Sequence, residues 1–193
     1  MPLTLTDGFR PDQRGTATAL FWEAFRGKLA PILRPEDKAM RFLNRVADPS
    51  HTISATSGDT LLGIAGYKTT QGAFIGGELS DLTAIYGRLG GLWRGLALTV
   101  LERNVAAGTL LMDGIMVGKD ARGQGVGTAL LDAIKAKART LGCTSVRLDV
   151  IDTNPRARAL YERQGFVAEG STNLGPLRHI FGFRTATTMV CPV

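Results

Sequence analysis

Only two cysteines, Cys143 and Cys191, and two histidines, His51 and His179, occur in the 193 residues. Two thiols are too few for a disulfide framework, and no histidine stands at metal-ligand spacing, so no metal is expected. Cys143 follows a helix-stopping glycine in "LGCTSVRL" and reads as a small buried residue. No apolar run is long enough for a bilayer. The most apolar stretch, "LWRGLALTVLERN" (92–104), carries Arg94 and falls well short of the roughly 20 residues a span needs. The N-terminus "MPLTLTDGFRP" has no basic-then-apolar signal pattern. A soluble cytoplasmic protein with no membrane partner is the expectation. Acid is also in deficit, with 17 Asp and Glu against 23 Lys and Arg and a net charge of +6. That balance favours an anionic partner, either nucleic acid or a phosphorylated small molecule. The basic residues are scattered, with no dense run interleaved with aromatics, which makes nucleic acid the weaker option.

What is present suits a single domain over residues 1–193: 44% of residues are hydrophobic and 21% charged. "PLTLTDGF" alternates as a first strand. From Pro11 to about Leu33, Ala17, Leu20, Phe21, Ala24 and Phe25 fall at helical spacing. Pro35 reads as N1 of a second helix running through Ala47. "HTISAT" and "TLLGIAGYKT" form a hairpin around Ser57-Gly58-Asp59. Residues 71–107 read as a helical insertion, two short helices or one bent helix interrupted at Gly90-Gly91, with spacing that extends to Val100 and Leu101. "TLLMDGIMV" (109–117) is a strand with a bulge expected at Gly114. In the helix after it, Leu130, Leu131, Ile134, Ala138 and Leu141 share the inner face, while Lys135, Lys137 and Arg139 lie toward water. Gly142 closes that helix. "SVRLDVID" alternates Val146, Leu148 and Val150 against Arg147, Asp149 and Ile151. Asn154 and Pro155 fit N-cap and N1 of a last helix, which Gly165 ends, and the tail reads as two strands. This order predicts an α/β fold with one central sheet and helices on its faces.

Between the strand at 109–117 and its helix lies "VGKDARGQGVGT", with Gly123, Gly125 and Gly127 at alternate positions. Glycines at a helix start suit an anionic group held on bare N–H groups, where unpaired donors meet the positive end of the helix dipole. The spacing is not a Walker A loop, because Thr128-Ala129 stands where Lys-Ser/Thr is needed. Nor is it the G-x-G-x-x-G of a dinucleotide fold.

This loop together with "LDVIDTNPRARALYERQGF" resembles the GCN5-related N-acetyltransferase (GNAT) family, which transfers acetyl from acetyl-CoA to an amine. Arg122, Gly125 and Gly127 match its Arg/Gln-x-x-Gly-x-Gly/Ala signature. Asn154, Ala157, Tyr161, Gly165 and Phe166 match N-x-x-A-x-x-x-Y-x-x-x-G-F. The match is strongest over 109–170, and the 71–107 insertion departs from the short turn usual there.

The resemblance implies an acyl-CoA N-acyltransferase fold: a mixed, mostly antiparallel central sheet flanked by helices, with two central strands splayed to admit the cofactor arm. It implies acetyl-CoA as co-substrate and a small-molecule or peptide amine as acceptor. Cofactor contacts are expected from Met116 and Val117 through main chain, from Arg122, from the amides of Gly123, Gln124, Gly125, Val126, Gly127 and Thr128, and from Asn154. Tyr161 would also touch the cofactor and protonate the departing thiolate. Asp113 is the first candidate for the base that accepts the amine proton and Asp149 the second, the latter also as a lining residue of the splayed gap. Trp22 and Glu23 on the first helix are candidate substrate contacts. The insertion could cover the acceptor pocket, pack on a second subunit in a homodimer, or extend the core. The alternative to an enzyme is a CoA-responsive binding module with the same fold and no acceptor chemistry.

Overall fold

The computed structural model describes residues 2–99 and 104–193, apart from the side chains of Leu177, His179 and Ile180. The spacing read at Val100 and Leu101, and the side chain of His179, lie outside the described residues.

Alternation along the strands sorts side chains into two layers. On β6 (Ser145–Ile151), Val146, Leu148 and Val150 are buried under α5 (Val126–Thr140) and α6 (Pro155–Arg163), while Ile151 packs with the opposite layer. That second layer is built by α1 (Arg14–Leu33) and α2 (Glu36–Val46), which bring Phe21, Trp22, Phe42 and Leu43 onto Ile64, Phe74 and Met116. One sheet separates the two. Its strand order is β1 (Thr4–Asp7), β2 (Thr52–Ser57), β3 (Thr60–Thr69), β5 (Thr109–Val117), β6, β8 (Thr185–Pro192) and β7 (Val167–Asn173). The two-residue β4 (Gly72–Ala73) pairs off the path, on β3. Every pairing is antiparallel except β5 with β6.

The hairpin turn is where Gly58 predicts it, in the left-handed region at φ 56°. Asn154 caps α6 by accepting a hydrogen bond from the Ala157 amide at 3.2 Å, with Pro155 at N1. Gly142 follows the end of α5 at φ 71°.

Several local expectations are corrected. The insertion forms α3 (Leu79–Tyr86) and α4 (Arg88–Thr99), and the chain turns at Gly87, φ 74°, not at Gly90-Gly91. Gly91 serves close packing instead: a Cβ there would lie 2.6 Å from the Thr83 amide nitrogen, so the two helix backbones meet at that point. Pro35 is the N-cap of α2, and helical geometry begins at Glu36. Leu141 lies past the last turn of α5 and is 46% exposed. Lys135 and Lys137 are not solvated: Lys135 Nζ donates to the Gln164 carbonyl at 2.6 Å, and Lys137 Nζ pairs with Asp7 at 2.9 Å. Such stems cover apolar surface while their charged ends find partners. Cys143 is half-buried against the core. The tail contains a short helix, α7 (Arg178–Phe181), between its two strands, and the chain contacts between α7 and α1 close the α1 layer. No described helix is long and apolar enough to cross a membrane.

Candidate active site

β5 and β6 are hydrogen-bonded in register only at Thr109–Ser145, Leu110–Val146 and Leu111–Arg147. β6 keeps β8 as partner over its whole length, and β5 keeps β3 up to Val117–Gly63. The two central strands therefore part beyond Leu111 and Arg147, leaving one edge of residues 112–117 without a strand partner. The splay lies where the family resemblance implies it.

A bulge marks the same stretch. Gly66 pairs with Gly114 and Tyr67 with Met112, so Asp113 is the extra residue. The bulge is thus centred on the candidate base itself, which is half-buried. Gly114 lies under α1: a Cβ there would meet Phe25 Cζ at 2.7 Å. Met116 is 2% exposed in the layer beneath α1, while the Val117 side chain packs on the α5 side.

At the end of β5 a short 3-10 turn, Lys119–Ala121, leads into the glycine loop. Gly123 and Gly125 both have φ 80°, and open space surrounds the position of a Cβ at each. Only glycine takes that conformation without strain. Gly127 is glycine for another reason, since a Cβ would face inward, 3.4 Å from Leu160 Cδ2. Gly125 is the N-cap of α5, and the first helical bond runs from the Ala129 amide to the Gly125 carbonyl at 3.0 Å. The amides of Val126, Gly127 and Thr128 precede it and are the unpaired donors of the helix start. Val126 is 2% exposed and can offer only its backbone. Gln124 Nε2 donates to the Asp120 carbonyl at 2.7 Å, bracing the loop.

Charge converges beside this loop. Arg122 Nε donates to the Val117 carbonyl at 3.1 Å, and its Nη2 is 3.5 Å from Glu23 Oε1. Lys119 Nζ is also 3.5 Å from Glu23. Glu23 is thereby placed against the loop cations. Lys119, not singled out from the sequence, sits three residues before Arg122 in "GKDARG", and a lysine beside a glycine loop at a helix start is a legible signal.

Tyr161 is 7% exposed and lies in the layer of Leu148 and Val150, its ring 5.9 Å from that of Phe166. Burial pushes its phenol up to about 12, so the hydroxyl stays protonated at neutral pH. No described residue hydrogen-bonds that hydroxyl.

On the α1 side of β6, the Asp149 carboxyl is 4% exposed. Its Oδ1 accepts from Thr188 Oγ1 at 2.5 Å, and its Oδ2 is 3.8 Å from Arg147 Nη2. Thr188 escaped the sequence reading because only the β6–β8 register brings it to Asp149, whereas Arg147 shares the face of β6 that alternation gives Asp149. Three N–H donors are buried without a partner among the described residues: Arg147 Nε, Trp22 Nε1 and, on α4, Arg94 Nε. Trp22 is 6% exposed. No group of three or more potential metal ligands occurs among the described residues.

Solved structures with this fold include a GCN5-related N-acetyltransferase from Kribbella flavida, 19% identical over 99% of this chain and 98% of that one, TM-score 0.63. An N-acetyltransferase from Staphylococcus aureus Mu50 is 13% identical over 97% and 99%, TM-score 0.67. The ribosomal-protein-S18-alanine N-acetyltransferase from Escherichia coli is 16% identical over 100% and 94%, TM-score 0.58. The family model for the Acetyltransferase (GNAT) family matches residues 16–166, well over half of the sequence. The chain belongs to the GNAT acetyltransferase family.

Proposed function

We propose that this protein moves an acetyl group from acetyl-CoA to a primary amine by direct attack of the amine on the thioester. The observation that carries the reading is the open strand position beside residues 112–117, which leads straight into a loop of free helix-start amides.

The residues present fit the cofactor. Gly123 and Gly125 leave room for an anion, the amides of Val126, Gly127 and Thr128 can receive a pyrophosphate, and Arg122 and Lys119 add charge. The free edge of β5 up to Met116 and Val117 suits the two amide groups of the pantetheine arm, which would extend the sheet as an added strand does. The Asn154 side chain, already a helix cap, borders the same end of β6.

When bound, acetyl-CoA supplies the thioester whose carbonyl carbon is the electrophile. Tyr161 holds a proton on its hydroxyl for the departing sulfur, because burial keeps its phenol protonated at neutral pH. Asp149 accepts the proton of the attacking amine from the α1 side of the sheet, and Thr188 and Arg147 hold its carboxylate in place. Asp113 at the bulge remains the competing base. Trp22 Nε1, buried and unpartnered, offers the acceptor a hydrogen bond from α1.

The test combines calorimetry with CoA and release of free thiol from acetyl-CoA over a panel of amines. The reading expects binding and turnover of at least one amine class. CoA binding with no turnover on any amine would favour a CoA-responsive module.

A further inference from the structure

The outer face of α4 is apolar in a way the rest of the surface is not. Leu89 is 83% exposed, Leu92 58%, Trp93 47% and Leu96 73%. They recur at i, i+3, i+4 and i+7 and so form one stripe along two turns. Leu79 of α3, 48% exposed, flanks the helix pair, its Cδ1 3.1 Å from where a Cβ of Gly95 would be on the α3-facing side. The opposite side of α4 is satisfied internally, with Gly91 against Thr83.

We propose that this stripe is where two copies of the chain pair, α4 against α4 about a two-fold axis. Area supports a second copy as the occupant. Taking roughly 200 Å² for a fully exposed large apolar side chain, the four residues leave roughly 500 Å² uncovered on one protomer. That lies in the upper part of the range for the largest apolar patch on a monomer. Pairing with a copy removes on the order of 1,000 Å², about what a specific interface must clear.

Charge argues in the same direction. The stripe carries no ionised group, so it meets its own copy without a like-charge clash. A membrane surface would instead need free cations around the stripe to meet lipid headgroups. Arg94 is committed: its guanidinium lies 4.0 Å over Tyr86 and 4.3 Å over Trp93, and it donates to the carbonyls of Gly90 and Arg34 at 3.0 Å each. Arg88, exposed at the start of α4, is a single charge beside the stripe, fewer than the cluster that an anionic lipid surface recruits. Lys38 Nζ sits 5.9 Å over the Tyr86 ring. The pairing is independent of the acetyl-transfer reading and adds an assembly to it.

Sedimentation velocity of the full chain from 1 to 100 µM tests the proposal. The expected result is twice the 20.6 kDa chain mass for the native protein and the single-chain mass for L92E/L96E, with unchanged circular dichroism. L92K/L96K is expected to be monomeric too, and an equimolar mixture of the Glu and Lys variants should regain the dimer mass. A native monomer at 100 µM overturns the proposal, as does a dimer that survives either double substitution. Failure of the mixture to pair overturns helix-on-helix docking. Flotation with vesicles of phosphatidylcholine and phosphatidylglycerol at 3:1 should leave the native protein in the soluble fraction. Stripe-dependent flotation of a native monomer would assign the stripe to membranes instead.

Discussion

Leu111 and Arg147 form the last hydrogen-bonded pair between β5 and β6, and everything assigned to the cofactor lies beyond it. The backbone groups of residues 112–117 on that side must find water or a ligand, since an unpaired amide buried in protein is costly. Gly125→Val tests the far end of this slot. Valine at φ 80° is strained, so the variant should lose about 1–3 kcal/mol of stability. It should also lose measurable CoA binding by calorimetry at a temperature where circular dichroism shows it folded. Unchanged affinity would remove the loop from the cofactor site.

Tyr161→Phe deletes one hydroxyl that no described protein group uses and keeps the ring near Phe166. The expected outcome is a kcat lower by about tenfold or more, with CoA affinity and thermal midpoint nearly unchanged. Full kcat with chemistry shown to be rate-limiting would return the residue to a packing role.

The same hydroxyl sets a limit on alkaline stability. Its folded pKa is about 12 against 10.0 for a free phenol, so the native state keeps a proton that the unfolded chain releases. The resulting stabilisation is fully present below pH 10 and is lost as pH rises through about 12. Two units correspond to about 2–3 kcal/mol at most. Tyr67 and Tyr86 are shifted in the same direction by burial and contribute with the same sign. Urea unfolding between pH 9 and 12 should show a shallower loss for Tyr161→Phe than for the native protein.

Glu23 neutralises the cations that a pyrophosphate would meet, from 3.5 Å on each. Glu23→Gln should therefore tighten CoA binding by about two- to fivefold at low ionic strength, the scale of exposed ion pairs. The gain should shrink at about 0.5 M salt, where screening is short-ranged. Weaker binding in calorimetry would mean that Glu23 orients Arg122 productively.

Asp149→Asn and Asp113→Asn separate the two candidate bases. Loss of about 10²-fold in kcat/KM for the amine, with the acid limb of the pH–rate profile flattened, identifies the proton acceptor. The burial of Asp149 between Thr188 and Arg147 makes it the expected one.

Much of this was legible from residue order. The alternation of β6, the Asn154-Pro155 helix start and the glycine loop all follow local rules, and each stands where those rules put it. The break in the insertion was misread because Gly90-Gly91 and Gly87 look alike in sequence, and only the crossing of α3 on α4 shows which glycine turns and which packs. Lys135 and Lys137 were misplaced for a similar reason: their partners, Gln164 and Asp7, are distant in the chain. The Asp149–Thr188 contact depends on a strand register that spans some 40 residues, which no local pattern encodes.

Tyr86 and Arg94 reach back to the end of α1, where the Tyr86 hydroxyl donates to the Leu33 carbonyl at 2.5 Å and the Arg94 guanidinium to the Arg34 carbonyl at 3.0 Å. Carbonyls at a helix end have no partner within the helix, and here residues more than 50 positions later supply one. The last turn of α1 is thus finished by the insertion, with a sequence separation that delays its completion during folding. Excising residues 79–99 would expose Ile32 and Leu33 and fray that turn before it altered any chemistry. The insertion is therefore a splint for the end of α1.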